Sequence, residues 1–214
     1  MSDADKRNLE YWDNYYADYS IIKIEDNNWL NMYNDVFDKT NMPIIDLGCG
    51  NGNNIPFLLG KGRGVIPCDG ASTAIRNVEK RFPGINAAYC FNMLDKFPLN
   101  NNMTDLIVSD LSLHYFTRED TIRILKELKR ILVNNGHILL RVNSLNDNNY
   151  MNELVSEVEP HLYLTRDGRY KRFFSQEDIY DMFNMFDIKN IREMSTYKYT
   201  LEKKLYAVDL KNHK

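Results

Sequence analysis

The sequence predicts an α/β protein whose doubly wound, mostly parallel β-sheet carries helices on both faces. Short apolar segments ending in an acid or a glycine alternate with longer segments of helical apolar spacing. A glycine-rich turn follows the first apolar segment, at residues 48–52. The last two apolar segments are joined by a short connection, which predicts an antiparallel hairpin at the C-terminal end of the sheet.

Composition and charge restrict the classes of function. The chain of 214 residues has a formal net charge of −3, whereas a dedicated nucleic-acid-binding protein usually has a basic face. No apolar run approaches the ~18 residues of a membrane span, and the N-terminus has no apolar signal core. We therefore expect a cytoplasmic protein without a membrane partner, disfavour a nucleic-acid partner, and expect a monomer or homodimer.

The three cysteines, Cys49, Cys68 and Cys90, lack C-x-x-C spacing. An odd number without that spacing indicates free thiols in a reducing compartment and no metal site. Each cysteine lies at or just after the end of a predicted strand. We expect packing roles, with a redox or catalytic role as the alternative.

Residues 1–40 predict an N-terminal helical segment packed on the core. The first helix, residues 5–19, has Trp12 and Tyr16 at helical spacing, and residues 27–38 carry a second aromatic stripe. Two interpretations stay open: helices that simply complete the core, or an aromatic lid over a ligand. The second interpretation makes Trp12 a candidate ligand contact.

The chain is organised around residues 43–53, Pro-Ile-Ile-Asp-Leu-Gly-Cys-Gly-Asn-Gly-Asn. The apolar run predicts a buried strand that leads into a tight glycine turn, where glycine permits a positive φ and a close backbone approach to a ligand. The following residues predict a helix with Pro56 in its first turn, so free N–H groups face a small-molecule site. Gly52 comes one residue too early for G-x-G-x-x-G, which disfavours NAD.

This acid-x-Gly-x-Gly-x-Gly pattern resembles the nucleotide-binding loop of class I S-adenosylmethionine (SAM) dependent methyltransferases. The resemblance implies a Rossmann-like fold in which the loop backbone approaches the methionine end of SAM. It places Asp46, Gly48, Cys49 and Gly50 around the amino and carboxylate groups of SAM. The product of the cofactor would be S-adenosylhomocysteine (SAH).

A second strand, residues 64–69, ends in Asp69 about twenty residues beyond the loop. Because a carboxylate accepts hydrogen bonds from both hydroxyls of a vicinal diol, we assign Asp69 to the ribose, with a helix cap as the alternative. Ser72 is expected to cap the next helix. The family often has a larger apolar residue at Gly70, so adenine must find its apolar wall elsewhere.

Residues 85–91 predict the third strand. In the family the position after this strand usually carries an Asp that bonds the adenine amino group, and this sequence has the neutral amide Asn92. The resemblance makes Asn92 or Met93 the candidate adenine contacts. An ordinary strand-to-loop turn is the alternative.

The fourth strand carries the second most informative segment. Apolar residues 106–108 lead into Ser-Asp-Leu-Ser-Leu-His-Tyr-Phe, at the edge where an open α/β sheet binds ligands. This segment is similar to the fourth-strand segment of many small-molecule methyltransferases. The similarity implies that Ser109 and Leu111 lie near the sulfonium, and that His114 and Tyr115 face the substrate or SAM.

The later part of the chain completes the sheet after one interruption. Residues 117–120 begin a helix that is expected to end at 134–136, and residues 137–143 predict the fifth strand. Residues 144–174 break the pattern and contain a candidate hairpin on Asp167-Gly168. We interpret them as a substrate-recognition insertion, with a solvated loop as the alternative.

The remaining residues return to regular structure. Ser175 caps a helix, and residues 188–197 and 203–210 predict two antiparallel strands. The sheet of the family likewise ends in an antiparallel hairpin. Residues 41–214 are therefore expected to form the SAM-binding methyltransferase domain.

The resemblance implies methyl transfer from SAM by in-line displacement at the carbon beside the sulfonium. The cofactor supplies the reactive group and the protein supplies alignment. A base is needed only for a protonated acceptor. His114 is the first candidate because a neutral imidazole accepts a proton near pH 7. His161 and the N-terminal tyrosines are further candidates, and Asp110 either acts as a base or attracts a cationic acceptor.

The whole pattern resembles small stand-alone bacterial methyltransferases near the tellurite-resistance type, which implies a small-molecule acceptor. Three alternatives stay open. The acceptor is RNA or a protein, the chain binds SAM without catalysis, or the chain is a nucleotide-linked oxidoreductase.

Overall fold

The computed structural model describes residues 2–18, 28–149, 151–197 and 201–214. The α-helices are α1 (Asp3–Asp18), α2 (Asn34–Phe37), α3 (Ile55–Gly60), α4 (Ser72–Arg81), α5 (Arg118–Ile131) and α6 (Gln176–Met182). The strands are β1 (Ile44–Leu47), β2 (Val65–Asp69), β3 (Tyr89–Cys90), β4 (Thr104–Asp110), β5 (Leu132–Asn143), β6 (Leu154–Glu159), β7 (Leu162–Thr165), β8 (Tyr170–Arg172), β9 (Asp187–Thr196) and β10 (Lys203–Lys211). Short 3₁₀ segments cover Asn28–Tyr33, Leu113–Tyr115 and Met151–Glu153.

The main sheet of the described chain has the strand order β3-β2-β1-β4-β5-β10-β9. The pairs among β1 to β5 are parallel, and β10 runs antiparallel to both β5 and β9. The order reverses between β1 and β4, and open α/β sheets bind ligands outside the carboxyl ends of strands at such a point. The predicted doubly wound sheet with an antiparallel C-terminal hairpin is confirmed.

Buried side chains fill both faces of this sheet. β1 is buried along its whole length, which is typical of a parallel strand covered on both sides. Ile45 and Leu47 pack with α5 and α6, whereas Ile44 packs with α3, α4 and the 3₁₀ segment Asn28–Tyr33. The two helical layers hold the carboxyl edge of the sheet in a fixed position.

Residues 144–174 contain a small second sheet. Its antiparallel strands have the order β6-β7-β8. The turn between β7 and β8 holds Asp167 and Gly168, and Gly168 has a φ of 81°. The predicted hairpin on Asp-Gly is confirmed. An isolated bridge between Ser144 and Phe174 joins the two ends of the segment.

Three predicted elements differ from the structure. Residues 28–38 form the 3₁₀ segment and one turn of α-helix rather than one continuous helix, and residue 27 lies outside the described part of the chain. β3 has only two residues because it pairs with only the last two residues of β2. β5 begins at Leu132 directly after α5, and the predicted positive φ occurs inside this strand, at Asn135 with 63°.

The predicted Ser72 cap is wrong, because a residue of α1 takes that role. The Asp13 carboxylate accepts hydrogen bonds from the Thr73 N–H at 2.8 Å and from Ser72 Oγ at 3.2 Å. These bonds satisfy free donors at the start of α4. The bond from the Thr73 backbone lowers the pKa of Asp13 in spite of partial burial. A carboxylate from a distant helix thus replaces the local hydroxyl.

Helix α1 contacts both helix α4 and the small sheet β6-β7-β8. On one side Asn77 Nδ2 donates a hydrogen bond to the Tyr16 carbonyl at 3.1 Å. On the other side the Arg169 guanidinium lies 3.5 Å from the centre of the Tyr11 ring. α1 therefore spans from α4 to the turn between β7 and β8. None of the helices in the described ranges is long and apolar enough to cross a lipid bilayer.

Candidate active site

A cavity of about 510 Å³ lies at the carboxyl edge of the main sheet. Its lining combines the glycine turn, the ends of β2 and β4, helix α1, and the small sheet β6-β7-β8 of residues 144–174, which we call the insertion sheet. Pockets for small ligands and cofactors have volumes of ~300–1,000 Å³. The cavity thus has the size and the position expected of a cofactor site.

The glycine turn brings its backbone close to other elements of the site. Gly48 and Gly50 have φ values of 70° and 51°, which side chains rarely adopt. A methyl group on Gly48 would lie 2.3 Å from Ser112 Cβ, and one on Gly50 would lie 2.5 Å from the Tyr16 hydroxyl. Both positions therefore require glycine for conformation and for space.

Asp46 supports the turn from behind and does not line the cavity. It is fully buried, and Asn54 Nδ2 donates a hydrogen bond to its Oδ1 at 2.9 Å. Burial raises the pKa of Asp46 to about 7, in spite of the bond from Asn54 and with a further contribution from Asp110. Asn54 does line the cavity. Asp46 therefore acts on a ligand only through its neighbours.

Asp69 lines the cavity at the end of β2 and holds the glycine turn. Its carboxylate accepts hydrogen bonds from the Gly50 N–H at 2.9 Å and the Ala71 N–H at 2.8 Å. Burial raises the pKa of Asp69, and these backbone donors oppose the shift. The carboxylate has further acceptor capacity for a hydroxyl of a ligand.

Gly70 leaves room for an apolar side chain from α1. A methyl group at this position would lie 2.6 Å from Leu9 Cδ2. Leu9 and Gly70 both line the cavity, with Asn92 and Met93. The apolar wall that residue 70 lacks is thus present beside it on another element. Sequence reasoning did not select Leu9, although its helical spacing with Trp12 was the available signal.

The end of β4 forms the base of the site. The Asp110 carboxylate accepts two hydrogen bonds from Arg141, at 2.7 and 2.8 Å. Leu111 lines the cavity with a φ of 57°, an uncommon value for a residue with a branched side chain. Ser109 is fully buried, bonded to Ser112 at 2.6 Å, and does not line the cavity.

His114 lies against the cavity with only 1% of its surface exposed. No described residue is a hydrogen-bond partner of its Nδ1. Burial lowers its pKa well below the usual value, and Lys203, Lys171 and Arg169 lower it further. The imidazole is therefore neutral and a weak base. The Tyr115 ring centre lies 4.2 Å from that of His114.

Aromatic residues of α1 cover the glycine turn. Trp12 stacks on Tyr16 with ring centres 5.6 Å apart, and its edge meets Tyr115 at 5.8 Å. Burial raises the pKa of Tyr16 well above the usual value, and the charge of Asp69 adds to the effect. Tyr16 therefore keeps its proton and remains a hydrogen-bond donor. Helix α1 thus forms part of the cavity wall beside the glycine turn.

The predicted site residues converge, with two exceptions. Asp46 and Ser109 lie behind the wall, and the residues that line the cavity are Trp12, Gly48, Cys49, Gly50, Asp69, Gly70, Asn92, Met93, Asp110, Leu111, His114 and Tyr115. Cys49, Cys68 and Cys90 are free thiols. No group of three or more His, Cys, Asp or Glu in the described ranges could hold a metal ion.

Lys203, Lys171 and Arg169 also line the cavity and were not selected as site residues from the sequence. Arg169 and Lys171 belong to the segment interpreted as the recognition insertion. Lys203 gave a weaker signal, a lysine at the start of an otherwise buried strand. His161, a further base candidate, is not among the lining residues and is bonded to Asp178 at 2.7 Å.

Several solved structures with this fold are methyltransferases. A SAM-dependent methyltransferase of Methanosarcina mazei has a TM-score of 0.73 and 21% identity, over 86% of this chain and 98% of that one. One of Anabaena variabilis has a TM-score of 0.70 and 19% identity, over 100% and 96%. The 1,6-didemethyltoxoflavin-N1-methyltransferase of Burkholderia thailandensis has a TM-score of 0.69 and 12% identity, over 100% and 92%.

A family model gives independent evidence from the sequence. Residues 44–136, which hold the glycine turn, Asp69 and His114, match the model described as a methyltransferase domain. No curated protein matches the sequence. Residues 44–136 are thus similar to a methyltransferase domain, and the chain shares the fold of SAM-dependent methyltransferases.

Proposed function

We propose that this protein transfers the methyl group of SAM to a small molecule by in-line displacement. The observation that carries the proposal is that one cavity contains both halves of such a site. The glycine turn follows β1, Asp69 ends β2 on one side of it, and His114 follows β4 on the other side. A cofactor and an acceptor bound in this cavity would be next to each other.

The donor half of the cavity supports this proposal through residues that could bind each part of SAM. Asp69, which lines the cavity, would accept hydrogen bonds from the ribose hydroxyls, since a carboxylate can accept from both. Leu9 offers the apolar surface for adenine, with Asn92 and Met93 beside it. The backbone of Gly48, which has no side chain of its own, would lie along the methionine end.

The acceptor half lies under α1 and the insertion sheet. Methyl transfer needs the nucleophile, the methyl carbon and the sulfur in line, so the protein contributes mainly alignment and exclusion of water. Trp12 and Tyr115 meet edge to face across this part of the cavity. A small molecule held between them and His114 would be enclosed when α1 is in place.

A small acceptor also agrees with one of the structures of this fold. The Burkholderia thailandensis enzyme was solved with bound 1,6-didemethyltoxoflavin and SAH. The cavity here is of the size of a small-ligand pocket and is covered by α1 and by the insertion. These features favour a small molecule over RNA or a protein surface as the methyl acceptor.

The test is calorimetric titration of the purified protein with SAM, SAH and NAD, repeated on Asp69→Ala and Asp69→Asn. We expect SAM and SAH to bind, NAD not to bind, and both variants to lose at least about tenfold in affinity, which corresponds to ~1.4 kcal/mol. Glu79→Ala, an exposed acid on α4, is the control that keeps wild-type affinity.

Because Asp69 also holds the glycine turn, the melting temperature of each variant is measured first. Asp69→Asn keeps the shape and size of the side chain, so it separates loss of ligand contact from loss of folding. SAM affinity that is indifferent to Asp69 in folded variants contradicts the proposed cofactor site. SAH release with RNA or protein but with no small molecule contradicts the proposed acceptor class.

A further inference from the structure

Three cationic side chains meet on one wall of the cavity, next to His114. They are Arg169 in the turn between β7 and β8, Lys171 in β8 and Lys203 in β10. We call these three residues the cationic wall. Lys171 and Lys203 are only 9% and 5% exposed. Lysine is rarely buried to this extent, since burial of a charge carries a large desolvation cost.

The electrostatic potential at His114, next to this wall, is positive. The charged groups that act on its pKa are the three cations of the cationic wall, and all of them lower it. The imidazole is buried, lines the cavity, and its Nδ1 has no hydrogen-bond partner in the described part of the chain. A buried polar atom without a partner at a positive site favours a ligand atom with negative charge.

Two acids near the cationic wall are paired with arginines, one of which, Arg169, belongs to the wall itself. Asp167 accepts two hydrogen bonds from Arg169, at 2.7 and 2.9 Å. Asp110 accepts two from Arg141. Each of these pairs is close to neutral, so neither adds a full negative charge to the cavity.

Two more acids act on the lysines. Glu153 and Asp147 raise the pKa of Lys171, yet burial, Lys203 and Arg169 hold that pKa at about 7. Burial lowers the pKa of Lys203 to about 8, against the charges of Asp147 and Asp110. Desolvation and mutual repulsion of the cations thus outweigh the attraction of the protein acids, and a bound anion would offset both.

We propose that the methyl acceptor is an organic anion and that its carboxylate or phosphate group binds between the cationic wall and His114. The proposal rests on the function proposed above. The two kinds of group share the chemistry that the wall recognises, negatively charged oxygen atoms within reach of ammonium groups and an imidazole N–H. Nearby Asp110 is neutralised by Arg141, which argues against a cationic acceptor at this place.

The test uses two matched pairs of probes, benzoate with benzamide and phenyl phosphate with phenol. Each is titrated by calorimetry at pH 6.5 (about half a unit below the lysine pKa of about 7) into protein saturated with SAH. We expect at least one anion to bind about tenfold or more tightly than its neutral partner. Preference for phenyl phosphate over benzoate, or the reverse, identifies which oxyanion the site accommodates.

Variants assign the preference to the cationic wall. Lys171→Met and Lys203→Met are expected to reduce anion affinity at least about tenfold while affinity for the neutral partner stays the same. Lys204→Met is the matched control, because the next residue of a strand points to the opposite face. Lys204 does not line the cavity and should leave every affinity unchanged.

Several results would overturn the proposal. One is equal affinity for the anion and its neutral partner. Another is no binding of either anion up to about 20 mM, a concentration at which millimolar affinities are detected. The third is an anion preference that Lys171→Met and Lys203→Met both retain. SAM and SAH binding is measured in the same samples. If SAM binds and the anion preference is absent, only this inference fails. If SAM does not bind, the titrations are repeated without SAH, so that the failure of the proposed cofactor site is recognised separately.

Discussion

At the residue scale, burial reverses the usual titration behaviour of His114 and Lys171 near neutral pH. Burial lowers the pKa of the imidazole well below its usual value, so it stays neutral across the physiological range. Burial lowers the pKa of Lys171 to about 7. Lys171 therefore changes its charge near neutral pH, and His114, the first base candidate from the sequence, is better suited to hydrogen bonding.

Anion affinity should fall as the pH rises. Below pH 7 Lys171 is charged, and above its pKa of about 7 it progressively loses the proton that attracts an anion. Lys203 follows at about 8. The dissociation constant of the preferred anion is expected to rise about tenfold per pH unit above the pKa of the unliganded lysine. Titrations between pH 6 and 9 measure it.

Arginine at position 171 provides the comparison for this pH profile. Lys171→Arg keeps its charge throughout the range, so its profile should be flatter than that of the wild-type protein between pH 7 and 8. Lys204→Met should reproduce the wild-type profile. Anion affinity that is constant from pH 6 to 9 in the wild-type protein would show that neither lysine contacts the anion.

Removing the buried charge should stabilise the protein. Lys171→Met eliminates a desolvated ammonium next to Lys203, and we expect the free energy of unfolding at pH 7 to increase by about 1–3 kcal/mol. Chemical denaturation of both proteins measures the difference. A variant that is more stable and yet binds the anion less well would assign Lys171 to function rather than to folding.

The contribution of Lys171 to stability depends on pH. The pKa of Lys171 falls from 10.5 to about 7 on folding. Between these values the unfolded chain binds more protons than the folded one, so wild-type stability gains from this group as the pH rises from 7 to about 10. Lys171→Met should lack this gain. A parallel pH profile in the two proteins would contradict the buried, shifted amine.

At the scale of elements, α1 carries much of the site and yet is weakly packed. Only Ala4, Asp5 and Asn8 of this helix are buried. Several of its contacts to the rest of the chain are polar or aromatic, as with Asp13 at the start of α4 and Tyr11 beneath Arg169. An element with few buried apolar contacts opens at low cost, which suits a lid that must admit ligands.

Loss of the Asp13 carboxylate should loosen this lid. Asp13→Ala removes the acceptor for the Thr73 N–H and for Ser72, as loss of an N-cap does. We expect a decrease of about 1 kcal/mol in the free energy of unfolding and a weaker affinity for SAH. Asp18→Ala, an exposed acid at the end of the same helix, should change neither quantity. Unchanged SAH affinity in Asp13→Ala would show that the attachment of α1 through Asp13 does not affect cofactor binding.

The lid interpretation also predicts a change in amide exchange. If α1 closes over bound ligand, saturation with SAH should slow amide hydrogen exchange in residues 3–18 more than in α5, which is anchored in the core by residues such as Ile124 and Leu128. Mass spectrometry of peptides from the two helices measures the ratio. Equal protection of both helices would indicate general stabilisation without closure.

At the scale of the whole molecule, the sequence was informative where neighbours in the chain decide the structure. The alternation of strands and helices, the glycine turn and the Asp-Gly hairpin all follow from local patterns, and each is present. The predicted cofactor residues converge because parallel strands bring their carboxyl ends to one edge.

The features that were not predicted depend on contacts between distant residues. Asp13 takes the cap assigned to Ser72, although 59 residues separate them. β3 is short because β2 provides only two paired residues. Lys203 joins the wall of the cavity from the last strand of the chain, where no local pattern marks it as a site residue. Such contacts become visible only when the strand order is known.

The antiparallel direction and the register of β10 determine which of its side chains lies at the cavity. Because this strand runs against its neighbours, its first residue lies at the carboxyl edge, and Lys203 pairs with Thr196. A slip of one residue would bring Glu202 or Lys204 to that position and turn every side chain of the strand to the other face. A shift toward Glu202 would reverse the charge presented to an acceptor. The register of β10 therefore decides which charge this strand presents at the cavity.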